Sequence, residues 1–160
     1  RSIGFTQVEA LVTEQVDAVV VYLANEPVQL RARGYEIDLL RVADYLSLVG
    51  NCLVTNEKSL NERSEMVQGM VSAIHEALAA TAADPDMAYE VSRKYVENLS
   101  EDDPIQKQVL LESIKIWQLE PDSSEVEVTR WENMQTVLLN LGLMTRQIEI
   151  REAFSDAFTK

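Results

Sequence analysis

The chain has 160 residues, of which 46% are apolar, and it carries a formal net charge of −13. This length suits a single domain with a sizeable core, and no stretch approaches the roughly 20 apolar residues of a membrane-spanning helix. The negative charge argues against nucleic acid as a partner, because nucleic-acid binding requires a basic surface.

The first 56 residues alternate between strand-like and helix-like segments. The clearest strand candidate is Asp17–Tyr22, because its β-branched run Val19–Val21 lacks the alternation of a half-exposed strand. An uninterrupted apolar run is typical of a strand buried on both faces of a parallel sheet. We therefore predict an α/β fold. The other strand candidates are Ser2–Phe5, Ile37–Val42 and Leu48–Thr55.

Two short helices are predicted between these strands. Thr6 can cap the first helix, with Glu9 completing a capping box three residues later. Asn25 can cap the second helix, and Gly34 is placed to end it.

The four strand candidates are few for a sheet, because sheets typically contain about 4–6 strands. We therefore expect the chain to be the C-terminal portion of a longer protein, or to receive strands from another chain.

From Ser64 onward the pattern is helical. Apolar residues recur at three- and four-residue spacing, and two Asp-Pro pairs place a cap before a proline at the first helical position. The predicted helices are Glu65–Ala82, Asp86–Leu99, Ile105–Leu119, Val126–Leu141 and Gln147–Phe158.

Catalytic motifs are not evident. The single histidine, His75, falls on the polar side of its predicted helix, and the single cysteine, Cys52, is predicted to be a buried structural thiol. Neither the spacing of a metal site nor a phosphate-binding loop occurs. We therefore predict no catalytic residue, no metal and no cofactor.

Polar residues collect where strands end and helices begin, and these are the candidate site residues. Ligands of parallel sheets meet the residues beyond the carboxyl ends of the strands. However, Thr6 and Asn25 acting only as caps, and Glu26 acting only as a partner of the helix dipole, would account for the same residues equally well. The candidates are Gln7, Tyr22, Asn25, Glu26 and Asn51.

Short segments along nearly the whole chain carry a family resemblance. They are Gly4–Leu11, Gln15–Ala18, Tyr22 with Asn25–Pro27, Leu48–Asn51, Leu53–Lys58, Asp84–Tyr89 and Trp131–Met134. In combination they resemble the type II periplasmic binding proteins of ABC importers, in the branch that includes thiamine-pyrimidine synthases and pyrimidine-precursor-binding proteins.

The resemblance implies a two-lobed α/β clamshell that closes on its ligand, of which this chain supplies a C-terminal part with few strands and a helix-rich second half. Residues 1–46 would be the end of the second lobe, and residues 47–160 would return through the hinge to the first lobe. The resemblance places Glu26 and Asn25 against a heteroaromatic ligand with Tyr22 near its ring. Gln7 and Asn51 also match the pattern.

The function implied is that of a solute-binding component of an ABC importer, not an enzyme, that captures a thiamine-pyrimidine precursor or a riboflavin-like compound. The implied partners are this ligand, a membrane permease and the missing N-terminal part of the same protein. The implied location is periplasmic or extracytoplasmic, with a lipid anchor on an N-terminus absent here. The alternative is a pyrimidine-synthase-type enzyme, whose cofactor lysine and histidine would lie outside these residues; His75 does not match that histidine.

Overall fold

A computed structural model describes residues 4–118 and 124–158 of the chain. Seven α-helices are found in this part: α1 Gln7–Val12, α2 Glu26–Ala32, α3 Glu57–Glu62, α4 Ser64–Ala83, α5 Pro85–Ser92, α6 Pro104–Gln118 and α7 Ser124–Asn140. Two short 3-10 turns, Val42–Asp44 and Ile150–Glu152, accompany them. Among these residues, no helix combines the length and the apolar character needed to cross a membrane.

Local signals set several helix boundaries. Asp84 accepts a hydrogen bond from the Met87 N–H at 3.0 Å and caps α5. Asp103 accepts from two backbone N–H groups in the first turn of α6, each at 3.0 Å. Gly34 follows α2 with a φ of 85°, a left-handed conformation that a glycine adopts without strain. The predicted starts of α5 and α6 and the predicted end of α2 are confirmed, but α5 ends at Ser92, whereas the prediction extended it to Leu99.

The chain forms two compact units. The first comprises the described residues of Arg1–Leu40 and Ala80–Glu120, and the second those of Arg41–Ala79 and Pro121–Lys160. The predicted assignment of residues 1–46 and 47–160 to different lobes stays a prediction.

The core of the first unit forms around α2, which packs against both α1 and α6, while α5 packs against α6. Pro27, in the first turn of α2, is fully buried, and Tyr89 of α5 is buried while its hydroxyl donates to the Ser100 carbonyl at 2.9 Å. This packing fixes α2 on two sides. The buried residues of this unit are Ala10, Ala24, Pro27, Leu30, Ala88, Tyr89 and Ile114.

The second unit is organised around α7. The Trp131 ring stacks on Phe154 with centroids 5.6 Å apart and an interplanar angle of 3°. The Asn133 amide donates to the Ser47 carbonyl at 2.9 Å, and the Gln68 amide donates to the Phe158 carbonyl at 3.1 Å. Apolar and polar contacts together therefore join segments far apart in the sequence.

The predicted α/β fold is wrong. Residues 4–118 and 124–158 contain no β-strand, so the chain is helical and is not an α/β clamshell; Ser2 and Ile3 of the first strand candidate lie outside the described residues. The physical reason is that a strand exists only when a neighbour pairs with it. The predicted strand segments Asp17–Tyr22 and Leu48–Thr55 are unpaired and irregular, and Val20 is 89% exposed and Val54 88% exposed.

Three smaller predictions are also wrong. The predicted helix over residues 147–158 is only the turn Ile150–Glu152, which packs against α7. Cys52 is exposed where a buried thiol was predicted. The predicted capping box at Thr6 does not form, because Thr6 makes no side-chain capping bond and Glu9 pairs with Arg33.

Candidate functional site

A groove in the first unit lies between α1 and α2. It has a volume of about 280 Å³. This volume is close to the lower end of the range of small-molecule pockets, roughly 300 Å³. We call it the α1–α2 groove. Its lining residues are Phe5, Thr6, Gln7, Val8, Glu9, Asn25, Glu26, Gln29 and Arg33.

Glu26 provides a carboxylate in the first turn of α2. Its Oε2 accepts a hydrogen bond from the Tyr22 backbone N–H at 3.0 Å, and the Asn25 N–H donates to the Tyr22 carbonyl at 3.0 Å. The side chain is thereby held by the tight turn that precedes the helix. Its other oxygen, Oε1, has no hydrogen-bond partner within residues 4–118 and 124–158 and is an open acceptor.

Asn25 stands at the N-cap of α2, but its side chain makes no capping bond. Its backbone φ and ψ of −113° and −84° lie outside the extended region usual for a capping residue. Instead, Asn25 Oδ1 accepts from Gln29 Nε2 at 2.8 Å. The Asn25 Nδ2 group makes no hydrogen bond to a residue that the structure describes, so it is a donor that a ligand can use.

An ion pair joins the two walls of the groove. Arg33 Nη1, at the C-terminal end of α2, lies 2.8 Å from Glu9 Oε1 in α1. Both side chains remain largely exposed, at 44% and 62%. The pair connects residues 24 positions apart, so it links the helices and not neighbouring turns of one helix.

An aromatic ring and a further amide complete the lining. The Phe5 side chain is fully exposed beside the first turn of α1. Gln7, the first residue of α1, is half-buried and its side chain has no hydrogen bond to any residue that the structure describes. A ring face and an amide are thus available to a bound molecule.

The structure brings three of the five candidate site residues together: Gln7, Asn25 and Glu26 all line the α1–α2 groove. Tyr22 does not line it, and its ring is 66% exposed, although its backbone N–H holds Glu26. Asn51 belongs to the second unit, where it is exposed.

Six residues of the groove lining were not predicted as site residues: Phe5, Thr6, Val8, Glu9, Gln29 and Arg33. Gln29 lies one helical turn after Asn25, so an i, i+4 amide pair was the signal available in the sequence. The pairing of Glu9 with Arg33 depends on how two helices pack, and no local pattern predicts it. Phe5 was assigned to a strand. Within the described ranges, no three His, Cys, Asp or Glu side chains are grouped as metal ligands.

Comparisons with known proteins give one family and one curated relative. The profile of a family described as NMT1/THI5 like matches residues 2–88, just over half of the chain. The riboflavin-binding protein RibY of Chloroflexus aurantiacus is 31% identical over 163 aligned residues, covering 99% of this chain. The chain spans 46% of that relative's length. No solved structure matches significantly.

Proposed function

Because this chain belongs to the NMT1/THI5-like family, we propose that it binds a small heteroaromatic ligand, a riboflavin-like compound or a thiamine-pyrimidine precursor, in the α1–α2 groove. The observation that carries the proposal is the pair Asn25 and Glu26, which places an amide donor beside an open carboxylate acceptor. The name of the relative from Chloroflexus aurantiacus supports a flavin.

The chemistry of these two side chains matches one edge of such ligands. Riboflavin has a ring N–H flanked by carbonyl groups, and an aminopyrimidine has an amino group beside a ring nitrogen. Each edge therefore places a donor next to an acceptor. Glu26 Oε1 would accept from the N–H, and Asn25 Nδ2 would donate to the neighbouring acceptor.

An apolar contact would complete the site. Phe5 lies at the groove with its ring exposed, so a flat heteroaromatic ring could stack on it with the offset geometry that aromatic pairs prefer. Gln7, with its amide not engaged by any described residue, is assigned to a polar substituent of the ligand. Tyr22 is assigned an indirect role, because its backbone N–H orients the Glu26 carboxylate.

We assign the protein to the uptake of this ligand as the extracytoplasmic, solute-binding component of an ABC importer, with a membrane permease as partner and without enzymatic activity. The same proposal includes a lipid anchor on additional N-terminal polypeptide. The similarity to a longer binding protein supports this role.

The substitution Glu26→Gln tests the site. It keeps the size of the side chain but removes the charge, and hydrogen bonds to charged groups contribute about 1.5–3 kcal/mol, so we expect riboflavin affinity to fall about tenfold or more. Glu36→Gln is the matched control, because Glu36 is an exposed carboxylate of the same unit outside the groove lining. Isothermal titration of each variant with riboflavin and an aminopyrimidine gives the measurement.

Two results would contradict the proposal. One is that the unsubstituted chain binds neither compound. The other is that Glu26→Gln binds its ligand as tightly as Glu36→Gln does.

A further inference from the structure

Three charged side chains line the α1–α2 groove. Two are carboxylates, Glu9 and Glu26, and one is the guanidinium of Arg33. Arg33 is engaged by Glu9, whereas Glu26 forms no ion pair within residues 4–118 and 124–158. The groove therefore presents one uncompensated negative charge and an arginine that is already paired.

The Glu9–Arg33 pair contributes little to stability. Side chains this exposed gain little from pairing, since water screens their charges and ordering them costs entropy. Its larger effect is on the charge that a ligand meets. Arginine is the side chain best suited to bind a phosphate group, because its planar fork donates two parallel hydrogen bonds. With Glu9 in place, that fork is partly occupied and a second carboxylate stands beside it.

We propose that Glu9 sets the charge selectivity of the groove: by pairing with Arg33, it makes the groove accept an uncharged heteroaromatic ligand and disfavour the phosphate monoester of the same ligand. The proposal rests on the function proposed above. A phosphate monoester carries about −1.5 to −2 charges at neutral pH. It would meet the Glu9 and Glu26 carboxylates without a free guanidinium to compensate its charge.

The test is the ratio of two affinities. The full chain and its variant Glu9→Gln are titrated with riboflavin and with riboflavin 5′-phosphate, and the dissociation constant of the phosphate is divided by that of riboflavin. Removing one like charge and freeing one arginine donor should lower this ratio about 3- to 10-fold. The gain should shrink as ionic strength rises, because salt screens exposed charges.

Two further variants identify the cause. Glu14→Gln removes the same charge from an exposed residue just after α1, outside the groove lining, and should leave the ratio within about twofold. In the double variant Glu9→Gln/Arg33→Gln the freed guanidinium is gone, so the ratio should return toward that of the unsubstituted chain. Glu9→Ala repeats the test with a side chain that has no hydrogen-bonding group.

The ratio of affinities in these variants tests the proposed role of Glu9 directly. An unchanged ratio in both Glu9 variants overturns the inference, as does an equal gain in Glu14→Gln or a gain that survives in the double variant. If riboflavin binds but the ratio does not move, only the inference fails. If the unsubstituted chain does not bind riboflavin, the proposed function fails and the inference falls with it.

Discussion

The side chain of Gln29 restrains the position of the Asn25 amide. Its Nε2 donates to Asn25 Oδ1 at 2.8 Å, so the amide of Asn25 is held beside the groove by a partner one helical turn away. A residue that needs no ligand contact of its own is therefore part of the recognition of a donor–acceptor edge.

Substituting Gln29 should weaken binding in a graded way. Gln29→Leu removes the donor, so the Asn25 amide rotates freely and the affinity for riboflavin falls about 2- to 10-fold, the range of a single neutral hydrogen bond. Gln29→Glu should lower it further, because a carboxylate accepts from Asn25 Nδ2 and turns the amide oxygen toward the ligand. Isothermal titration measures both, with the exposed Gln15→Leu as control. Equal binding by Gln29→Glu and the unsubstituted chain would contradict this role.

Helix α6 carries a charge network that bears on stability. Glu112 Oε1 accepts from the Lys115 ammonium at 2.7 Å and from the Gln108 amide at 2.8 Å. The bond from Lys115 is the main reason that the pKa of Glu112 lies below its ordinary value of 4.5. Gln108 and Arg31 of the packed helix α2 lower the pKa further, while partial burial opposes them.

This lowered pKa predicts a pH dependence. A carboxyl group whose pKa is lower in the folded protein stabilises it above the ordinary pKa, and the contribution is lost as the pH falls through the lowered value. At neutral pH the free energy of unfolding of the unsubstituted chain should thus be higher than that of Glu112→Gln by a few tenths of a kcal/mol. A difference of this size is typical of ion pairs on a helix surface. The difference should vanish in acid.

Chemical denaturation at several pH values measures this difference in the free energy of unfolding. Glu97→Gln, which removes an exposed carboxylate of the same unit, is the control. A stability difference that stayed constant from neutral to acidic pH would contradict the assignment.

The starts of helices were predicted well from the sequence, because the residues that cap a helix lie close in sequence to the groups they bind. Asp84 before Pro85 and Asp103 before Pro104 form their capping bonds within three residues, so the signal and the structure lie together. α3 was missed although Asn56 caps it by accepting from the Ser59 N–H at 2.9 Å, because its six residues lie next to a segment assigned to a strand.

The absence of strands from the described residues, and six of the nine residues that line the groove, could not be predicted in this way. A β-branched run such as Val19–Val21 favours a buried strand. Its sequence does not indicate, however, whether another segment of the chain pairs with it. The same holds for Glu9 and Arg33, which meet only because α1 packs against α2. Asn25 and Glu26 were found because their positions at a helix start are local features.

Over the whole molecule, large apolar side chains remain on the surface. Besides Val20 and Val54, Leu40 is 86% exposed, and all three belong to predicted strands that form no strand within the described ranges. Exposed apolar groups of this kind favour association and the binding of hydrophobic dyes.

The isolated chain should consequently enhance the fluorescence of the dye ANS and associate as its concentration rises. Replacing Val20, Leu40 and Val54 together by threonine, glutamine and threonine should reduce both effects, because the polar side chains remove the exposed apolar surface. Light scattering measures the association. A chain that stays monomeric at all concentrations and does not enhance ANS fluorescence would contradict this expectation.

The stacked pair Trp131 and Phe154 has a spectroscopic consequence. The sequence contains two tryptophans, and they fall one in each unit: Trp117 on α6, 43% exposed, and Trp131 against the Phe154 ring. Their emission therefore separates the two units. In Trp131→Phe the remaining indole reports the unit that holds the groove, and in Trp117→Phe the remaining indole reports α7. Comparing the emission shifts of the two variants during thermal unfolding then shows whether the two units unfold together or one after the other.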